Sequence, residues 1–153
     1  MLYILIKHTK TEKTQEAKPR FLTSKNLILC FKKSKYHHCK KNKRLIRSTG
    51  FQSLNVAVLS IAADSLDELS SESVKLGITE ILMLSDADKQ VSDAYGVLQW
   101  AVASGEPGHT FVLVDDTGIV VWIKDYGDPA NPNRTMYVPI DELVQETSSH
   151  LDL

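Results

Sequence analysis

Cysteine is scarce in this chain: Cys30 and Cys39 are the only two in 153 residues. That excludes a disulfide framework, and their spacing fits no standard zinc pattern. No stretch reaches the ~18 consecutive apolar residues that a bilayer-spanning helix needs. The opening MLYILIKHTK holds about five apolar residues before a lysine. This is too short for the apolar region of a signal peptide, and no cleavage site follows. A cytoplasmic location is the default expectation. No internal repeat is visible.

Acidic residues are nearly missing from one third of the chain. Residues 1–50 hold fourteen Lys and Arg against Glu12 and Glu16 alone. Residues 51–153 reverse this, with seventeen acids against four Lys and Arg. The formal charge of −1 conceals the split. A basic arm on an acidic domain would produce it. So would two parts of different origin, as in a truncated or frameshifted reading frame. The basic run could meet nucleic acid or anionic lipid through charge alone. It has scattered aromatics and no base-reading motif, so a solvated segment is the simpler reading.

What remains is ordinary for a globular protein: 42% hydrophobic and 24% charged residues, at a length of about one domain. Such a chain can bury a core without covalent staples. Residues 1–26 show no period, are rich in Lys and Thr, and are expected to be poorly ordered. Leu27–Phe31 is a short apolar run that reads as a buried strand. Lys32–Arg47 has Leu45 and Ile46 as its only large aliphatic residues and would make a weak helix.

After Gly50 the signals become regular. Val56–Ile61 reads as a buried strand. Ser65 with Glu68 forms a capping box, and Leu66, Leu69, Ser73 and Leu76 share one helical face. Gly77 closes that helix. Ile81–Leu84 is the next strand. Asp86 or Asp88 can cap a following helix whose Val91, Ala94 and Tyr95 face inward, with Gly96 ending it. Thr110–Val114, the turn Asp115–Gly118 and Ile119–Ile123 form a hairpin. A loop rich in Pro, Gly and Asn covers 125–133. Pro139 opens a last helix with Ile140, Leu143 and Val144 inside. Strands alternating with helices imply a parallel sheet, to which the hairpin adds an antiparallel edge. The fold class is α/β, a central mixed sheet flanked by helices.

Four segments carry a family likeness: NVAVLSIAADSLDEL, LMLSDADKQVSDAYGV, PGHTFVLVDDTGIVVWIKDYG and RTMYVPIDELV. Their order and spacing resemble the redoxin, or peroxiredoxin-like, branch of the thioredoxin superfamily. This branch includes the alkyl hydroperoxide reductase and thiol-specific antioxidant group. The likeness runs over residues 51–153; the N-terminal catalytic segment is not matched. It implies a thioredoxin-like fold, N-terminally incomplete here, with 27–153 as the redoxin domain. It also implies antioxidant thiol chemistry, as a peroxidase or disulfide reductase, with a peroxide or disulfide substrate and a thiol reductant as partners. Neither a metal nor a cofactor is expected.

In such proteins the active cysteine follows the first core strand and starts a helix, where backbone N–H groups favour the thiolate. Cys39 lies eight residues after Phe31, near that place, and Lys40, Lys41 and Lys43 would favour the thiolate further. His109, just before the Thr110 strand, would stand in the wall beside the cysteine as a base or thiolate partner. The departures are specific. Tyr36 and Lys32 stand where the family has a Thr or Ser and a Pro, no CxxC occurs, and Gly108 replaces an expected Arg. A non-catalytic remnant acting as a scaffold or binding module therefore stands as the alternative.

Each candidate has a plainer reading beside it. Cys39 can be a surface thiol without a role, and Cys30 a small core residue. His37, His38 and Cys39 could hold a metal, but adjacent histidines point apart on most backbones. His109 could simply hydrogen-bond the backbone. Trp122 reads as packing, and Asp115 and Asp116 as turn formers.

Overall fold

The computed structural model describes residues 26–32, 47–77, 82–128, 130, 132, 134–135 and 138–151. Five strands form one sheet in the order β3-β2-β1-β4-β5. In chain order the elements are β1 (Asn26–Lys32), α1 (Thr49–Ser53), β2 (Val56–Ala62), α2 (Leu66–Leu76), β3 (Leu82–Ser85), α3 (Gln90–Ala94), a 3-10 turn (Val97–Trp100), β4 (His109–Val114), β5 (Val120–Asp125) and α4 (Ile140–His150). β1 is central. It pairs parallel with β2 and antiparallel with β4, and β2 pairs parallel with β3. β4 and β5 form the antiparallel hairpin.

β1 reads as an unbroken apolar run because both of its faces are covered. Ile28 and Cys30 point into one cluster with Phe51 of α1, Phe111, Leu113, Tyr126 and Leu143 of α4. Leu29 and Phe31 point into the other with Leu59, Ile61, Val97 and Val112, against which Val91, Tyr95 and Trp100 pack. Helices α1 and α4 therefore cover one face, and α3 with the 3-10 turn covers the other.

Local chemistry accounts for most boundaries. The Ser65 hydroxyl accepts from the Glu68 backbone N–H, and Glu68 reaches back to the Ser65 N–H at 2.9 Å, so the capping box is present. Gly77 ends α2 at φ 59°, in the left-handed region. Leu69 is buried, but Leu66 is exposed, so the apolar stripe of α2 begins one turn later than its sequence implies. Asp86, rather than Asp88, is the main organiser of α3. Its carboxylate accepts from the N–H groups of Val91 and Ser92 at 2.9 and 2.8 Å. Val91 of α3 and Tyr95 just after it, four residues apart, pack on the same cluster, and Ala94 is exposed.

The hairpin turn is held by Asp115, whose Oδ1 accepts from the N–H groups of Thr117 and Ile119, both at 2.9 Å. Gly118 takes φ 87°. Val114 pairs with Val120 and Leu113 with Trp122, so Val121 is an extra residue in a bulge. Of the stretch 32–47, expected from sequence to be a weak helix, residues 33–46 lie outside the described residues. Beyond it stands α1, a five-residue helix capped by the Ser48 hydroxyl.

Candidate functional site

The carboxyl ends of β1, β2 and β3 meet the amino end of β4 and the carboxyl end of β5 along one margin of the sheet. In α/β proteins this margin is where ligands and chemistry collect. His109 stands there. It is the first residue of β4, and its backbone partner is Lys32, the last residue of β1. The chain leaves β1 at Lys32, runs through the segment containing Cys39, and returns as α1 at Thr49.

His109 is 4% exposed. Its ring lies 5.2 Å from Phe111 and 6.5 Å from Tyr126, centroid to centroid. Phe111 and Tyr126 belong to the cluster that α1 and α4 cover. The imidazole thus faces the same side of the sheet as the helix that follows the Cys39 segment. Cys39, His37 and His38 themselves lie outside the described residues. Cys30 is buried at the middle of β1, as a core residue would be.

The His109 main chain is confined from both directions. The Tyr126 N–H donates to the His109 carbonyl at 2.9 Å. On the other side a Cβ on Gly127 would come within 2.8 Å of the His109 nitrogen, closer than packing allows. Only glycine permits this approach. Gly108 is similarly hemmed in: a Cβ there would meet the Trp100 carbonyl at 3.1 Å and Asp125 Oδ1 at 3.3 Å.

Sequence reasoning passed over Asp125, placing it in the loop; it is the last residue of β5. Its Oδ1 accepts from the Thr110 hydroxyl at 2.6 Å, and its Oδ2 from the N–H groups of Gly127, at 2.9 Å, and Asp128. An Asp two residues before a Gly at a strand end is the one signal that could have marked it.

A second polar group ties β5 to α4. The Lys124 ammonium donates to Glu142 at 2.7 Å and to Glu146 at 3.0 Å, and lies 5.2 Å from the Tyr126 ring centroid. The Tyr126 hydroxyl donates to the same Glu142 oxygen at 2.9 Å. The hydrogen bond from Lys124 holds the Glu142 carboxyl below the usual range. Burial, and then the bond to Glu142, push the Tyr126 hydroxyl well up.

Comparison with known families decides the lineage. The model of the AhpC/TSA family matches residues 7–123. The chain belongs to the AhpC/TSA family. The match crosses the charge boundary near Gly50 without a break and extends upstream of the four segments that carry the resemblance. No curated protein matches.

Solved structures of similar fold include peroxiredoxins. They include Mycobacterium tuberculosis AhpC, with 17% identity and TM-score 0.60 over 81% of this chain and 68% of that one. A cysteine variant of Xylella fastidiosa PrxQ has 20% identity and TM-score 0.61 over 82% and 77%. Plasmodium vivax 2-Cys peroxiredoxin in its reduced form has 24% identity and TM-score 0.59 over 81% and 76%. This AhpC/TSA chain therefore has the thioredoxin-like fold of those proteins. No helix among its described residues is long and apolar enough to cross a membrane.

Proposed function

We propose that the protein is a thiol-dependent antioxidant oxidoreductase, with Cys39 as the attacking thiolate and His109 beside it. One observation carries the reading in this AhpC/TSA chain. His109 pairs with the last residue of β1, and its ring lies on the face that α1 covers. The chain from β1 to α1 contains Cys39. Residues 27–153 form the working domain in this reading, and 1–26 a basic leading segment. A peroxide or disulfide substrate and a thiol reductant are its partners, in the reducing cytoplasm.

For a peroxide the chemistry balances in two stages. The Cys39 thiolate attacks one peroxide oxygen; an S–O bond forms as the O–O bond breaks. Cysteine is oxidised to a sulfenic acid, and the other oxygen takes a proton and leaves as alcohol or water. One reductant thiol then condenses with the sulfenic acid and releases water. A second reductant thiol attacks the mixed disulfide, returning Cys39 as a thiol and leaving the reductant as its disulfide. His109 beside Cys39 serves as its base or thiolate partner.

The second reading, a non-catalytic thioredoxin-fold scaffold, is favoured by Gly108. It occupies the position of an expected Arg, and its surroundings are tight for a side chain, with the Trp100 carbonyl 3.1 Å from an added Cβ. Peroxide consumption in the presence of a dithiol separates the two. Wild-type turnover that vanishes in Cys39→Ser supports the enzyme. No consumption by folded wild-type protein supports the scaffold.

A further inference from the structure

We propose that Asp125 is a positioning residue for His109, clamping the Gly127 turn against the His109 main chain and so fixing where the imidazole stands. The inference rests on the proposed role of His109.

Asp125 does not act by touching the ring. It pairs with Thr110 across the hairpin, one residue on from His109, and strand alternation sends its side chain to the opposite face. It acts through the backbone. Its two carboxylate oxygens collect the Thr110 hydroxyl, the Gly127 N–H and the Asp128 N–H. Thr110 follows His109 in sequence and is fully buried. Gly127 lies so close to the His109 nitrogen that an added Cβ would come within 2.8 Å of it. The carboxylate therefore grips both flanks of His109.

Packing alone does not require a charge here, because partly burying a carboxylate costs free energy unless donors surround it. Here the three donors supply that compensation. Asparagine could turn its one acceptor oxygen to the Gly127 and Asp128 N–H groups and its NH₂ to the Thr110 oxygen, keeping the contacts as weaker, uncharged hydrogen bonds. Glutamate is longer by a methylene and would push the turn away. With the turn held, the Tyr126 N–H reaches the His109 carbonyl, and the Tyr126 and Phe111 rings set the imidazole.

The test uses the full-length protein and reads Cys39 by its alkylation rate against pH. Cys30 is fully buried and stays unreactive while the protein is folded. The variants are Asp125→Ala, Asp125→Asn, Thr110→Val and His109→Gln, and the double variant of Asp125→Ala with His109→Gln. NMR of the His109 imidazole is followed in parallel. Asp125→Ala is expected to move the His109 signals and the Cys39 midpoint, to lower peroxide turnover roughly tenfold to a hundredfold, and to add nothing in the double variant. Asp125→Asn should restore part of the loss. Thr110→Val, which removes one hydrogen bond and keeps the shape, serves if Asp125→Ala does not fold, and should move the same signals less. Unmoved His109 signals in either folded variant, or additive effects in the double variant, would overturn the proposal. If the Cys39 midpoint ignores His109→Gln while the His109 signals still respond to Asp125→Ala, the positioning stands and the proposed function of His109 falls.

Discussion

Lys124 and Glu142 join the edge strand β5 to the last helix α4: the ammonium lies 2.7 Å from the carboxylate, and Tyr126 donates to the same oxygen. The pair is part-exposed, which limits its worth to about 1 kcal/mol or less. Glu142→Gln should therefore destabilise modestly at neutral pH. The sign with pH follows from the lowered Glu142 value. The contribution is fully present above the ordinary glutamate value of 4.5 and is lost as pH falls through the lower folded value. Urea unfolding of wild type and Glu142→Gln should differ at pH 7 and converge in acid. A gap that persists in acid would show that the ion pair is not its source.

Tyr126 gives a spectroscopic counterpart. Burial and the bond to Glu142 raise its hydroxyl above the ordinary 10.0. Stability from the neutral phenol is thus present below 10.0 and lost as pH rises through the higher folded value. In an alkaline absorbance titration, Tyr126 should ionise late, along with Tyr95, which burial also raises. Tyr126→Phe should remove amplitude from the late phase only.

Lys89 sits at φ 59° directly before α3, a left-handed conformation unusual for a side-chain-bearing residue. Lys89→Gly should remove that strain at a smaller entropic cost and stabilise the protein by roughly 1 kcal/mol. Thermal unfolding measures it. A lower midpoint would mean that the Lys89 side chain contributes more than its backbone costs.

Gly127→Ala should act in the opposite sense. The new methyl would meet the His109 nitrogen at 2.8 Å, and that atom is backbone that cannot swing aside. A loss of about 1–3 kcal/mol is expected, together with altered His109 NMR signals. Gly118→Ala, where no atom lies within 4 Å of the added carbon, should leave the His109 signals unchanged.

The sequence revealed the parts of the fold whose signals are local. The capping box at Ser65 and Glu68, the Gly77 cap and the turn at Asp115–Gly118 are side-chain chemistry that a reader can recognise without coordinates. The apolar run at Leu27–Phe31 predicts a buried strand, and β1 is one; its central place in the sheet came from the structure. Short elements escaped. Five residues of α1 and four of the 3-10 turn are too few to show a period. The bulge at Val121 depends on register between strands, which no single strand displays.

The site was legible only in part, for the same reason. His109 stood out because the family resemblance marks the position just before the Thr110 strand. Asp125 looked like the first residue of a loop. Its importance arises because Thr110 and Gly127, fifteen residues before it and two after, converge on one carboxylate.

The proposed function makes Cys39 a peroxide-reactive thiolate. The direct measurement exposes folded protein to one equivalent of hydrogen peroxide with a sulfenic-acid trap, then maps the adduct by mass spectrometry. The trap is expected on Cys39 within seconds, on buried Cys30 not at all, and in slower yield in His109→Gln. Folded protein whose Cys39 stays unmodified while peroxide persists would contradict it.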